Sequence, residues 1–197
     1  MAHQRLVTLV ETAIIAAFAM ALQYIPHTTG VSAIEFNYGL IPLAVLAMRR
    51  GMVPALSAGF VWGMLDLMLR GSILNPVQAI IEYPIAFTVA GLMAVTLPQF
   101  QAALKNKQIS KAIGMASIGI LVGTFAKYFF HFIAGWVYWG SYAPKGWPAW
   151  QWSLFVNGGS AVFSAVLAIV VIGVLVTVAP RLFVAPKEEI LQKHVDA

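Results

Sequence analysis

The sequence predicts an all-α integral membrane protein with six transmembrane helices, and two observations carry that prediction. Of its 197 residues, 60% are hydrophobic and only 10% charged, whereas an average soluble domain carries roughly 25% charged residues. A soluble chain still needs a polar shell, so burial alone does not absorb the excess. A bilayer does, provided every backbone polar group is paired within the structure. The hydrophobic residues also fall in long runs, without the alternation that separates the two faces of a barrel strand. Helices are therefore the spanning elements.

About 20 apolar residues cross a bilayer, and the runs divide accordingly. The first covers 6–25 and stops at Pro26, before the polar stretch His27-Thr28-Thr29-Gly30. The second, 34–48, is short and carries Pro42, with Glu35 and Asn37 near its start. It reads either as a tilted or re-entrant segment or, preferred because it keeps the charge pattern consistent, as a full crossing. Arg49-Arg50-Gly51 turns the chain into the third span, 52–69, and Asn75-Pro76 opens the fourth, 77–97. A polar, basic segment, 99–111, leads to the fifth span, 112–136. An aromatic loop through Pro148 precedes the sixth, 150–178, which ends before Pro180. Nothing suggests a repeat or a soluble domain, so 1–197 reads as one membrane domain with a charged, solvated end at 186–197.

Orientation follows from the excess of Lys and Arg on cytoplasmic loops. With the N-terminus inside, the inner segments hold Arg5, Arg49, Arg50, Lys105, Lys107, Lys111, Arg181, Lys187 and Lys193. The outer loops hold Arg70 and Lys145, and Lys127 lies within a span. Both termini are therefore expected in the cytoplasm, with the loops around 27–37, 70–76 and 139–149 facing out.

Several function classes drop away. The chain has no cysteine, which excludes disulfides, thiolate zinc sites and cysteine nucleophiles. The net charge of +5 comes from residues flanking spans rather than from a patch, so no nucleic-acid partner is expected. The first run lacks a small-residue cleavage site and reads as a retained helix, not a signal peptide. No Gly-x-x-x-x-Gly-Lys-Ser/Thr loop is present, so the chain does not cradle ATP phosphates in the usual way.

Ionisable groups inside spans are costly unless paired or turned to a cavity. Glu11 lies near the cytoplasmic end, where the headgroups explain it. Asp66 and Arg70 have the four-residue spacing of a helical ion pair. Lys127 either snorkels or pairs with a carboxylate. Glu82 stands out, because it directly precedes Tyr83-Pro84 and Pro84 frees a backbone carbonyl in the preceding turn. A carboxylate beside an interrupted helix suits a cationic or amidine-type ligand; an ion pair with Lys127 is the structural alternative.

His131 lies one turn beyond Lys127, and an interhelical hydrogen bond is its ordinary explanation. Its company argues for more. Five of the six tryptophans fall between Trp136 and Trp152, whereas an interfacial belt would spread them over both surfaces. Asn157 opens Asn157-Gly158-Gly159-Ser160 on nearly the same face as Trp150 and Ser153, and its amide both donates and accepts. These residues describe an outward-opening pocket for a small, flat, cationic molecule held by cation–π contacts and a carboxylate. No metal cluster and no cofactor are implied. A weaker alternative is an intramembrane enzyme using His131 and Glu82 as acid and base, but no nucleophile lies at matching depth.

At these residues the chain resembles the thiamine-specific substrate-binding subunit of energy-coupling-factor (ECF) transporters, the ThiT family. The resemblance rests on Glu82-Tyr83-Pro84 after Asn-Pro-Val-Gln, on Lys127-Tyr-Phe-Phe-His131-Phe-Ile-Ala-Gly135, on Trp139-Gly-Ser-Tyr-Ala-Pro144, and on Trp152-Ser-Leu-Phe-Val-Asn157-Gly. It implies a six-helix S-component in a bacterial cell membrane that binds thiamine from outside and is not an enzyme. The residue matching Glu82 contacts the aminopyrimidine, and those matching His131, Trp139 and Asn157 line the pocket, with Tyr83 a neighbour. Two features depart from the family pattern. Trp152 stands where Tyr is usual, and the first outer loop lacks a tryptophan, leaving Phe36 or Tyr38 as its aromatic candidates.

The first helix carries Ala13, Ala17 and Ala21 at four-residue spacing, a stripe that lets another helix approach closely. Internal packing is the structural alternative; the resemblance implies docking onto the transmembrane coupling subunit, the preferred reading. It also implies that two partner ATPase subunits supply the energy. An S-component for a thiamine precursor or another flat vitamin, and an independent ion-coupled carrier, remain the competing readings.

Overall fold

The computed structural model describes residues 2–26 and 34–185. The polar stretch 27–30 and the tail 186–197, with Lys187 and Lys193, lie outside the described residues. Six helical stretches account for most of the rest: α1 (Ala2–Leu22), α2 (Leu40–Arg50), α3 (Met52–Arg70), α4 (Pro76–Lys105), α5 (Ile109–Tyr138) and α6 (Ala149–Val178). Single 3₁₀ turns follow α5 and α6 at Gly140–Tyr142 and Pro180–Phe183. Five of the six, all but α2, are long and apolar enough to cross a membrane.

With 11 residues, α2 rises only about 17 Å. It nevertheless runs antiparallel to α1 between two tie points. Near its start the Gln23 amide donates to Asn37 Oδ1 at 3.4 Å. At its end Arg49 and Arg50 grip Glu11. The missing depth is supplied by the irregular segment before α2, whose backbone is satisfied by α6: Glu35 N–H donates to Ser160 Oγ at 3.0 Å and Asn37 N–H to Ser164 Oγ at 2.9 Å. Non-helical backbone at membrane depth is tolerated only when buried and paired in this way. Gly51 then reverses the chain with φ +87°, a conformation that a Cβ would strain.

The fourth stretch is interrupted twice, by a π turn at Ile81–Ile85 that contains Pro84 and by a 3₁₀ stretch at Gly91–Thr96. It continues to Lys105, beyond the sequence-expected end at Leu97. Its neighbours fit closely against these irregular parts. A Cβ on Gly63 of α3 would come within 2.4 Å of the Tyr83 carbonyl, and one on Gly123 of α5 within 2.3 Å of the Ala90 carbonyl. Small residues let helix backbones approach this closely. The core beneath is apolar, with Trp62, Phe100, Phe183, Leu43 and Met93 almost fully buried.

On α1, Ala16, Ala19 and Met20 pack inward, while Ala13, Ala17 and Ala21 are exposed on the outer face.

Candidate ligand-binding site

A cavity of about 530 Å³ opens at the end of the bundle where α1, α3 and α5 finish and α4 and α6 begin. All six candidate residues line it: Glu82 and Tyr83 from the π turn, His131 from α5, Trp139 just past α5, and Trp152 and Asn157 from α6. Among the described residues no group of three or more His, Asp or Glu is arranged to hold a metal ion.

Glu82 is held by its own helix start. Asn75 caps α4, its Oδ1 accepting from the N–H groups of Val77 and Gln78 at 2.9 and 3.0 Å. This fixes Gln78, which is fully buried and uses its whole amide. Its Oε1 accepts from Leu74 N–H at 2.9 Å, and its Nε2 donates to the Ser72 carbonyl at 3.1 Å and to Glu82 Oε2. Trp139 Nε1 donates to Glu82 Oε1 at 2.9 Å, so each carboxylate oxygen has one neutral donor. Tyr83 Oη accepts from Ser72 N–H at 2.9 Å and closes the same loop. The alternative for Glu82, an ion pair with Lys127, does not form. Among the described residues the ion pairs join Glu11 to Arg49 and Arg50, and Asp66 to Arg70.

Lys127 is 2% exposed and takes neither of its expected roles. Its Nζ lies 2.8 Å from His131 Nε2, and 4.2 and 4.7 Å from the ring centroids of Phe87 and Tyr128. An ammonium has only donors, so with Lys127 charged His131 Nε2 is the acceptor of this contact. On the facing wall Asn157 Nδ2 donates to the Ser153 carbonyl and Oγ at 3.1 and 3.2 Å. Ser153 Oγ in turn donates to the Phe132 carbonyl at 2.7 Å and ties α6 to α5. Asn157 is thus oriented with its carbonyl oxygen as the group it can offer.

Other lining residues did not emerge from the sequence as site residues. Asp66 and Arg70 form the expected i,i+4 pair at 3.3 Å, but both also face the cavity. Glu35 and Asn37 line it, while Phe36 between them packs on Phe163 and the Tyr38 hydroxyl points to the Pro26 carbonyl. Among the described residues of the first outer loop, the polar Glu35 and Asn37 line the cavity and the aromatic Phe36 and Tyr38 do not. The tryptophan cluster divides as well. Trp139 and Trp152 line the cavity, whereas Trp136, Trp147 and Trp150 are 44–47% exposed, as belt residues at an interface are.

A bundle of apolar helices with a polar and aromatic cavity opening at one end defines a membrane protein with a site for a small solute. The family described as Thiamine transporter protein (Thia_YuaJ) matches residues 9–184, and the chain belongs to that family. It is 69% identical over 187 residues to "Thiamine transporter ThiT" of Lacticaseibacillus paracasei, covering 93% of each chain. It is 30% identical over 192 residues to the Bacillus subtilis protein of the same description, covering 93% of this chain and 97% of that one. Among solved structures, ThiT from Listeria monocytogenes superposes with a TM-score of 0.88 at 40% identity, covering 91% of this chain and 98% of that one.

Proposed function

We infer that this chain is the thiamine-capturing membrane subunit of an ECF-type vitamin importer, a multi-pass protein of the bacterial cell membrane and not an enzyme. The observation that carries the reading is the charge of the cavity. Three carboxylates, Glu35, Asp66 and Glu82, line it against two basic groups, the guanidinium of Arg70 and the buried amine of Lys127, between aromatic walls. That balance suits a flat organic cation, and membership of a thiamine transporter family narrows the cation to thiamine.

In this reading Glu82, already oriented by Gln78 and Trp139, accepts from the exocyclic amine of the aminopyrimidine. Trp139 and Trp152 supply ring faces, and His131, Asn157 and Tyr83 set the edges of the pocket. The cavity faces outward and both termini face the cytoplasm, as the distribution of Lys and Arg predicts. The antiparallel course of α2 and its leading segment supports a second crossing. Energy comes from partners: a coupling subunit docking on the Ala13, Ala17 and Ala21 face, and two ATPase subunits.

Calorimetry of the purified protein with thiamine tests the capture step. Binding in the nanomolar range, without metal or nucleotide, is expected; millimolar or absent binding sinks the reading. Competition with hydroxymethylpyrimidine separates the nearest alternative, since equal affinity for the pyrimidine alone would make the precursor the ligand. Vesicles holding this chain alone should bind thiamine without accumulating it. Accumulation there would establish an ion-coupled carrier instead.

A further inference from the structure

At the opposite end of the bundle a second cavity, of about 670 Å³, opens between α1, α2 and the end of α6. It is larger than the ligand cavity and shares no lining residue with it. Its walls on α1 and α2 share one order, and the turn after α6, which also brings the apolar Ala179, Pro180 and Leu182, adds a charge at the same level. Charged groups sit at the rim, Glu11 on α1, Arg49 on α2 and Arg181 after α6. Apolar groups lie about one turn deeper, Ile14 and Ile15, Val45 and Leu46, and Val178. The outer side is open, with Ile14 60% and Val178 71% exposed.

The rim charges do not balance. Glu11 is shared by Arg49 and Arg50 at 3.1 and 2.6 Å. Arg49 is further fixed by the carbonyls of Arg181, Leu182 and Val184. Arg181 has no ion-pair partner among the described residues. Three guanidinium groups against one carboxylate give the cluster a net charge of +2.

We propose that this groove is a binding site for one anionic phospholipid of the cytoplasmic leaflet, its phosphate on Arg181 and an acyl chain along the apolar walls. The leaflet rests on the orientation inferred above; the site itself does not. On α1 and α2 a charged rim gives way to apolar groups one turn deeper, and Arg181 brings a third charge to that rim above Val178; that is the division within a single phospholipid. A partner helix lying across the groove has no need of it. Guanidinium is suited to phosphate by its planar fork of donors, and basic side chains near a membrane surface favour anionic lipid.

Native mass spectrometry of the purified, delipidated protein tests the site, with phosphatidylglycerol and phosphatidylcholine of identical chains as probes. Phosphatidylglycerol should be retained about fivefold better, the ratio that one basic group contributes near an anionic headgroup. Arg181→Gln should bring the two lipids close to parity, and Val45→Trp, which fills the groove, should lower retention of both. Thiamine affinity should be unchanged in either variant, which also reports that each has folded. Equal retention of the two lipids by the unaltered protein overturns the proposal, as does an unchanged preference in Arg181→Gln. So does a Val45→Trp protein that keeps its lipid but no longer assembles with the coupling subunit, because the groove would then be a protein interface.

Discussion

The two ends of the bundle treat charge in opposite ways. At the arginine-rich end both oxygens of Glu11 accept from Arg49 and from Arg50, four contacts between 2.6 and 3.2 Å. At the cavity end Glu82 receives only neutral donors, from Gln78 and Trp139, while the buried Lys127 is held by an imidazole and two aromatic rings. Keeping opposite charges apart in a half-dry cavity costs free energy that a direct pair would offset in part. The difference separates a carboxylate spent on an ion pair from one that meets only neutral donors among the described residues. Glu11 latches α1 to α2, whereas Glu82 is oriented by Gln78 and Trp139 at the cavity wall, as the proposed role in cation capture requires.

Four substitutions break or sharpen that contrast. Glu82→Gln keeps the size of the side chain and removes the charge, so thiamine affinity should fall on the order of 100-fold by calorimetry; the new amide leaves either Gln78 or Trp139 without its acceptor, so the melting temperature should fall as well. An unchanged affinity would mean that Glu82 is structural after all. Gly63→Val drives a side chain into the Tyr83 carbonyl, only 2.4 Å from the nearest Cβ position; about 2 kcal/mol of stability should be lost, and ligand affinity with it. In Trp139→Phe the ring face remains but the hydrogen bond to Glu82 is gone, and thiamine should bind about tenfold more weakly. Glu11→Gln should do the reverse, lowering stability by about 1 kcal/mol and leaving thiamine affinity where it was. A ligand defect in that variant would show that the two ends are coupled.

Much of this was legible in the sequence because the signals were local. Apolar runs gave the helices, and Pro84 beside Glu82 marked the interruption that became a π turn. His131 and Asn157 stood out because polar groups are scarce in those spans. What was not legible depends on contacts distant in the chain or on a single step of rotation. Glu11 lies 38 residues from Arg49, and nothing local announces that pair. Gln78 reads as an ordinary helix-start residue until the 72–74 loop folds over it. The Ser160 and Ser164 hydroxyls that hold the irregular segment before α2 are more than 120 residues away from it. One position decides whether Phe36 or its polar neighbours face the cavity. The same holds for the tryptophans: composition counts them, but only their facing divides wall from belt.

The π turn also limits how this helix tolerates deletion. A π turn is an α-helix holding one residue more than a regular turn needs. Removing one residue between Glu82 and Phe87, such as Tyr83, would restore the shorter turn and swing the part of the helix before it by about 100° relative to the part after it. Glu82 would turn away from the cavity while Phe87, packed edge-on against Trp62, stayed where it is. A uniform helix cannot present both groups as they now stand. The surplus residue acts as a phase shifter, joining a half-helix in register with the core to one in register with the cavity.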